Sequence, residues 1–177
     1  MQVLLGCGSN HAKKLSLPGK EGWEGLVTVD FDASHNPNVI YDLSDGCLPF
    51  EASTCDEIHA YDVMEHFGQQ GDFRFFFRQW SNIWKALKPG GHFFGISPHW
   101  LSPWAWMDPG HCRVFGPEIL TFLSQPNYDA QVGITPMTDY RFCYRADFDL
   151  IRSETTQDLQ FIYVLRAVKP SRFDNGA

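Results

Sequence analysis

Near the start of the chain Val3, Leu4 and Leu5 run straight into Gly6, Cys7 and Gly8. Glycine carries no Cβ, so a pair of glycines lets the backbone turn sharply and come close to a ligand. About twenty residues later Leu26, Val27 and Val29 lead into Asp30, and a carboxylate at that offset from a glycine turn can accept hydrogen bonds from both hydroxyls of a ribose. Asp32 is its rival for that contact; Asp30 is preferred because it closes the apolar run. The plainer reading of either aspartate is a turn or helix cap. Phe31, between them, offers a ring to a nucleoside.

Three later clusters carry further chemistry. Asp42 and Leu43 follow the short apolar run Val39–Tyr41, where a carboxylate can accept from the exocyclic amine of an adenine, although such an aspartate is commonly a turn residue. Tyr61 and Asp62 end the run CDEIHAY, and Glu65 and His66 come next. His59, inside that run, reads as a packed core or surface histidine rather than a catalyst. The segment from Ser97 to Glu118 holds Trp100, Trp104 and Trp106 among prolines, together with His99, His111 and Cys112. Those three lack a recognised metal-ligand spacing, and no metal is assigned. If a reacting group must lose a proton, His66, His111 and Asp62 are the candidate bases, histidine because it titrates near neutrality.

The elements that must position these residues can be read from hydrophobic spacing. Continuous apolar runs bounded by turn residues suggest buried parallel strands near Val3–Leu5, Leu26–Asp30, Val39–Tyr41, Cys55–Tyr61 and His92–Ser97. Phe73, Phe76, Phe77, Trp80, Ile83, Trp84 and Leu87 recur at helical steps, Asp72 suits the N-cap, and Pro89, Gly90 and Gly91 stop the helix. Between Asn10 and Gly25 one proline and three glycines predict a loop or at most one or two helical turns near Asn10–Leu15. Lys13, Lys14 and Lys20 there read as solvated surface. The tryptophan-rich segment is either a wall of a binding site or an aromatic plug over the sheet edge. A short helix is expected at Pro117–Ser124. RFCYRADFDLI and LQFIYVLRAVK, joined by SETTQD, predict a closing antiparallel hairpin. The chain reads as one domain over residues 1–170 with a loose tail over 171–177.

Composition narrows the class. The chain has 177 residues, 44% of them hydrophobic and 20% charged, which suits one domain with a sizeable core. A net charge of −7 argues against a nucleic-acid binder, which needs a basic face. Five cysteines without a CxxC pair indicate neither a disulfide framework nor a zinc ribbon. No apolar run approaches membrane-spanning length and no signal-peptide pattern opens the chain, so a cytoplasmic location is expected.

Taken in order, VLLGCGSN, VTVD, YDL, CDEIHAYDVMEH and ALKPGGHFFGIS resemble the class I S-adenosylmethionine-dependent methyltransferases, with ALKPGG and the EH pair typical of the small-molecule-type branch. The resemblance covers roughly residues 1–100, with FIYVLRAVK matching the last strand. It implies an α/β, Rossmann-like, doubly wound seven-stranded mixed sheet whose last strand is antiparallel. It also implies S-adenosylmethionine as cofactor, with Gly6, Cys7 and Gly8 beside its methionine part, Asp30 on the ribose, Asp42 and Leu43 by the adenine, and Tyr61 nearby. Asn10 stands where the pattern has its third glycine and is grouped with these contacts, as is Phe31. Leu4 stands where the pattern has an acidic residue, and the helix usually found before the first strand is missing. That leaves one face of the sheet thinly covered, so a partner subunit, such as a second copy of the chain, or the aromatic loop is expected over it. The partner implied for the site is a small-molecule or sugar-like acceptor. Two rivals differ: a nicotinamide dehydrogenase would want glycine at His11 and a helix directly after the turn, and a non-catalytic cofactor-binding or interaction protein would keep the fold without turnover.

Overall fold

In the computed structural model, which describes residues 1–175, the apolar runs pair into a single sheet. The strands are β1 (Gln2–Leu5), β2 (Leu26–Asp30), β3 (Val39–Ile40), β4 (Cys55–Tyr61), β5 (Leu87–Pro98), β6 (Phe148–Thr155) and β7 (Gln160–Ala167). Their order is β3-β2-β1-β4-β5-β7-β6. The first five pair in parallel, and β7 inserts antiparallel between β5 and β6. This is the expected seven-stranded mixed sheet with its last strand reversed. The carboxyl ends of β1, β2 and β4 therefore lie side by side. The strand order reverses between β1 and β4, the kind of crevice where open α/β sheets take ligands.

Side-chain alternation divides the molecule into two unequal cores. Val3, Leu5, Ile58, Ala60 and Phe93 face helix α1 (Phe73–Ala86), whose Phe76, Phe77, Trp80 and Ile83 are buried against them. Asp72 caps that helix, its carboxylate accepting from Phe75 N at 3.0 Å. Short helices α2 (Trp104–Met107), α3 (Pro117–Leu120) and α4 (Gln125–Gln131) follow β5. Leu4, Tyr61, Phe94 and Val164 face the other way and meet Leu15, Leu17 and Trp23.

Several expectations change. The chain between β1 and β2 is a loop, as its proline and glycines predict, but its path is not the one expected. It lies as a loop across the second face, so this loop, and neither a partner nor the aromatic segment, covers Leu4 and Phe94. Lys13 is not solvated surface: its ammonium is buried 2.8 Å from Glu57. The helix stops at Ala86, before the proline, because Leu87 already starts β5, which runs on through Lys88-Pro89-Gly90-Gly91. Of RFCYRADFDLI only the part from Phe148 is strand; Tyr144 and Asp147 are instead buried, Tyr144 donating to Leu123 O and Asp147 pairing with Arg172. The same pair holds the chain end, so the segment after Pro170 is docked as far as Asn175 rather than loose; residues 176–177 lie outside the described residues. Among the described residues no helix is long and apolar enough to cross a membrane.

Candidate active site

The turn after β1 is built on Gly6 and Gly8, both with positive φ. A Cβ on Gly6 would sit 2.5 Å from Val63 Cγ2, so the turn passes directly under the residue that follows Asp62. Asp30, at the end of β2, is buried and fixes the turn. Its carboxylate accepts from Gly8 N at 2.9 Å and from Asp32 N at 3.0 Å. Each oxygen keeps a lone pair for a further donor. Asp32 turns instead to cap the next 3-10 turn, accepting from Ser34 N, and it does not line the cavity beside the Gly8 turn.

In front of this turn lies a cavity of about 420 Å³, within the range of small-ligand sites. Of the candidate residues, Gly6, Gly8, Asp30, Phe31, Asp42, Leu43, Asp62 and His66 all line it. Tyr41, Val63, Phe67 and His35 line it too and were missed. Tyr41 and Val63 flank motif residues and were within reach of a sequence reading; His35 and Phe67 carry no sequence signal. Asp42 folds into a turn through Ser44 N at 2.9 Å, leaving its second oxygen open. Phe31 is exposed and forms one wall.

Cys7, Asn10 and Tyr61 lie elsewhere. They border a second recess of about 200 Å³ that shares Gly6 and Gly8 with the first. Alternation turns the Tyr61 ring to the second face, where its hydroxyl lies 2.6 Å from His59 Nδ1 and accepts from Leu15 N. Burial pushes that hydroxyl up to about 12 and His59 down to about 4. His59 is thus a core histidine, stacked on Phe94 and hydrogen-bonded to Glu57.

The carboxyl end of β4 continues into Asp62, with φ +58°, and a 3-10 turn at Met64–His66. Burial raises the Asp62 carboxyl despite Lys14 at 3.7 Å. Glu65 is buried, with one oxygen accepting from Ser97 Oγ at 2.9 Å and the other without a partner. Burial pushes its carboxyl up to about 7. His111 comes from the aromatic segment, and its ring packs edge-on to that of His66 with centroids 4.6 Å apart. His99 does not join them. It is buried beside Phe161 and accepts from Leu101 N. Trp100, Trp104 and Trp106 are exposed; Trp104 meets this corner through its carbonyl, 2.9 Å from His111 Nδ1, whereas Trp100 lines a separate recess with Phe115 and Phe122.

No protein-family model matches the chain, and no curated protein matches it. Solved structures do. An S-adenosylmethionine-dependent methyltransferase from Mesorhizobium loti aligns over 93% of this chain and 89% of its own, with TM-score 0.55 and 13% identity. One from Archaeoglobus fulgidus covers 93% and 85% with TM-score 0.56 and 15% identity. Phosphoethanolamine N-methyltransferase 1 of Haemonchus contortus, solved with phosphoethanolamine and S-adenosylhomocysteine, covers 94% of this chain and 38% of its own, with TM-score 0.57 and 13% identity. The chain has the fold of these methyltransferases.

Proposed function

We propose that the protein binds S-adenosylmethionine and transfers its methyl group to a small-molecule acceptor. The observation that carries this reading is Asp30: a buried carboxylate at the floor of the cavity, holding the Gly8 turn and still able to accept from a ribose. The adenine would lie between Phe31, Asp42 and Leu43, and the methionine part would cross Gly6 towards the recess of Cys7, Asn10 and Tyr61. Asp62 and His66 border the same cavity, where the methyl group would face the acceptor. A sulfonium is already a good leaving group, so the protein's task is to align nucleophile, methyl carbon and sulfur. The acceptor's oxygen or nitrogen forms the new bond to carbon while the carbon–sulfur pair returns to sulfur. If the acceptor carries a proton it must shed, Asp62 and His66, which line the cavity, and His111, whose ring packs on that of His66, would be the groups to receive it. The exposed tryptophans of the segment that bears His111 favour a flat or sugar-like acceptor.

Thermal unfolding with S-adenosylmethionine, S-adenosylhomocysteine and NAD tests the reading. A ligand at a hundred times its dissociation constant adds about 2.7 kcal/mol. The expected result is a rise in Tm with both adenosyl compounds and none with NAD; no rise with either adenosyl compound overturns it.

A further inference from the structure

We propose that Glu65, His66 and His111 form a binding site for one divalent transition-metal ion. One ligand atom from each of the three lies within 4.8 Å of the others. This departs from the sequence reading, which assigned no metal, because the third ligand reaches the site through tertiary contact.

Both imidazoles are oriented for the task. His66 Nδ1 lies 3.1 Å from the Gly110 carbonyl, and His111 Nδ1 lies 2.9 Å from the Trp104 carbonyl. A carbonyl only accepts, so each Nδ1 carries the proton and each Nε2 is left as a bare donor atom. A backbone carbonyl on the far nitrogen is the outer contact that fixes metal-binding histidines. Asp108 Oδ2 lies 3.9 Å from His111 Nε2, beyond hydrogen-bond reach.

Glu65 supplies an independent observation. It is 1% exposed, yet one of its oxygens has no hydrogen-bond partner. An unpaired buried acceptor is costly, and a cation satisfies it. The backbone holds the set together: the Glu65 carbonyl accepts from Cys112 N at 2.8 Å and from Arg113 N at 3.1 Å. That clamps the loop bearing His111 onto the turn bearing Glu65 and His66. Asp62 borders the same corner and adds negative charge.

Two imidazoles with one carboxylate suit zinc, cobalt, nickel or iron(II), whereas magnesium and calcium favour all-oxygen sites. Three protein ligands leave positions open to water or substrate. His66 also lines the 420 Å³ cavity, so an ion here would border the place where an acceptor meets the cofactor. Under the methyl-transfer reading, on which this step rests, it would hold an acceptor hydroxyl and lower its pKa; with both imidazoles bound, Asp62 would be the group left to take the hydroxyl proton.

The test uses the full chain stripped of metal by a chelator, titrated with Co²⁺ by visible absorption and with Zn²⁺ by calorimetry. Saturation at one ion per chain is expected. Losing a ligand should cost at least what losing an outer-shell contact does, about 10- to 100-fold in affinity. Glu65→Gln, His66→Ala and His111→Ala should each show that loss, and Cys112→Ser should show none. Glu65→Gln preserves shape, and its melting temperature without metal reports folding; His66→Ala, at an exposed position, decides the matter if it does not fold. Absence of saturable binding, binding that survives all three substitutions, or loss on Cys112→Ser overturns the site. S-adenosylhomocysteine binding by the chelated chain is measured in parallel. Adenosyl binding without Co²⁺ binding overturns the metal site alone, and Co²⁺ binding without adenosyl binding supports the metal site and overturns the cofactor reading alone.

Discussion

Asp30 holds the Gly8 turn and is the proposed ribose contact, and substitutions separate the observed duty from the proposed one. Asp30→Ala leaves the Gly8 and Asp32 amides without their acceptor, at a cost of about 1–3 kcal/mol if they stay dry. It also removes the ribose contact, so the S-adenosylhomocysteine shift should vanish. Asp30→Asn keeps one carbonyl oxygen for the turn and should recover part of the stability with little of the binding. Equal binding by all three chains in calorimetry would refute the ribose assignment. This residue was legible because it ends an apolar run, which fixes both its strand and its end of that strand. Gly6, Gly8, Asp42 and Leu43 were legible on the same logic. His111 was also named from sequence, but its place beside His66 was not legible. The contact spans 44 residues from His66 to Gly110 and depends on how a loop without periodicity folds back on a 3-10 turn. Tyr61 shows the limit in the other direction: its place at the carboxyl end of β4 suggested the ligand side, but the strand turns its ring to the face opposite Ile58 and Ala60, on the second recess.

At the scale of elements, hydrophobic period decided what could be read. Helix α1 was legible because its apolar stripe repeats over four turns and Asp72 announces its start. Asp72→Ala should lower stability by about 1 kcal/mol, measured by urea unfolding, without altering ligand shifts, since Asp72 is not among the residues that line the cavity. The β1 turn is the opposite case, where stability and site coincide. Gly6→Ala adds a methyl group 2.5 Å from Val63 Cγ2 on a backbone at φ +55°, so both destabilisation and loss of adenosyl binding are expected. The double substitution Gly6→Ala with Val63→Ala should restore part of the stability by relieving the overlap; no recovery would show that backbone strain alone is responsible. The segment 141–147 was misread as strand because its aromatics suit a sheet, yet its polar atoms found partners off the sheet. Tyr144 bonds Leu123 O, and Asp147 accepts from Gln125 N as well as from Arg172. Such side-chain-to-backbone ties leave no periodic trace.

Across the whole molecule the two faces of the sheet are held by different physics. One carries a helix and the larger aromatic core, centred on Trp80, Phe93 and Tyr163. The other carries a loop, secured by a buried polar chain: Lys13 to Glu57 at 2.8 Å, Glu57 to His59 at 3.0 Å, and His59 to Tyr61 at 2.6 Å, with Trp23 edge-on to the His59 ring. A loop offers little apolar area, so this chain of contacts must fix its position. Removing one member of a buried ion pair costs about 3–5 kcal/mol because the other charge stays behind, and Lys13→Met should show a loss of that size. The same network makes stability pH-dependent. His59 titrates at about 4 in the folded protein because it is buried, against 6.5 for the ordinary group. Between those values the unfolded chain takes up a proton that the folded chain refuses, so this group costs stability as pH falls from 6.5 towards 4 and costs nothing above that window. Glu65, pushed up to about 7, acts with the opposite sign, losing stability as pH rises from the ordinary carboxylate range. The difference between wild type and His59→Gln therefore carries the test. Glutamine lacks the titration, so wild type's advantage over the variant should shrink as pH drops through the window. A constant difference from pH 7 to 4 would mean that His59 is protonated alike in both states, and that the loop is held by Lys13 and Glu57 alone.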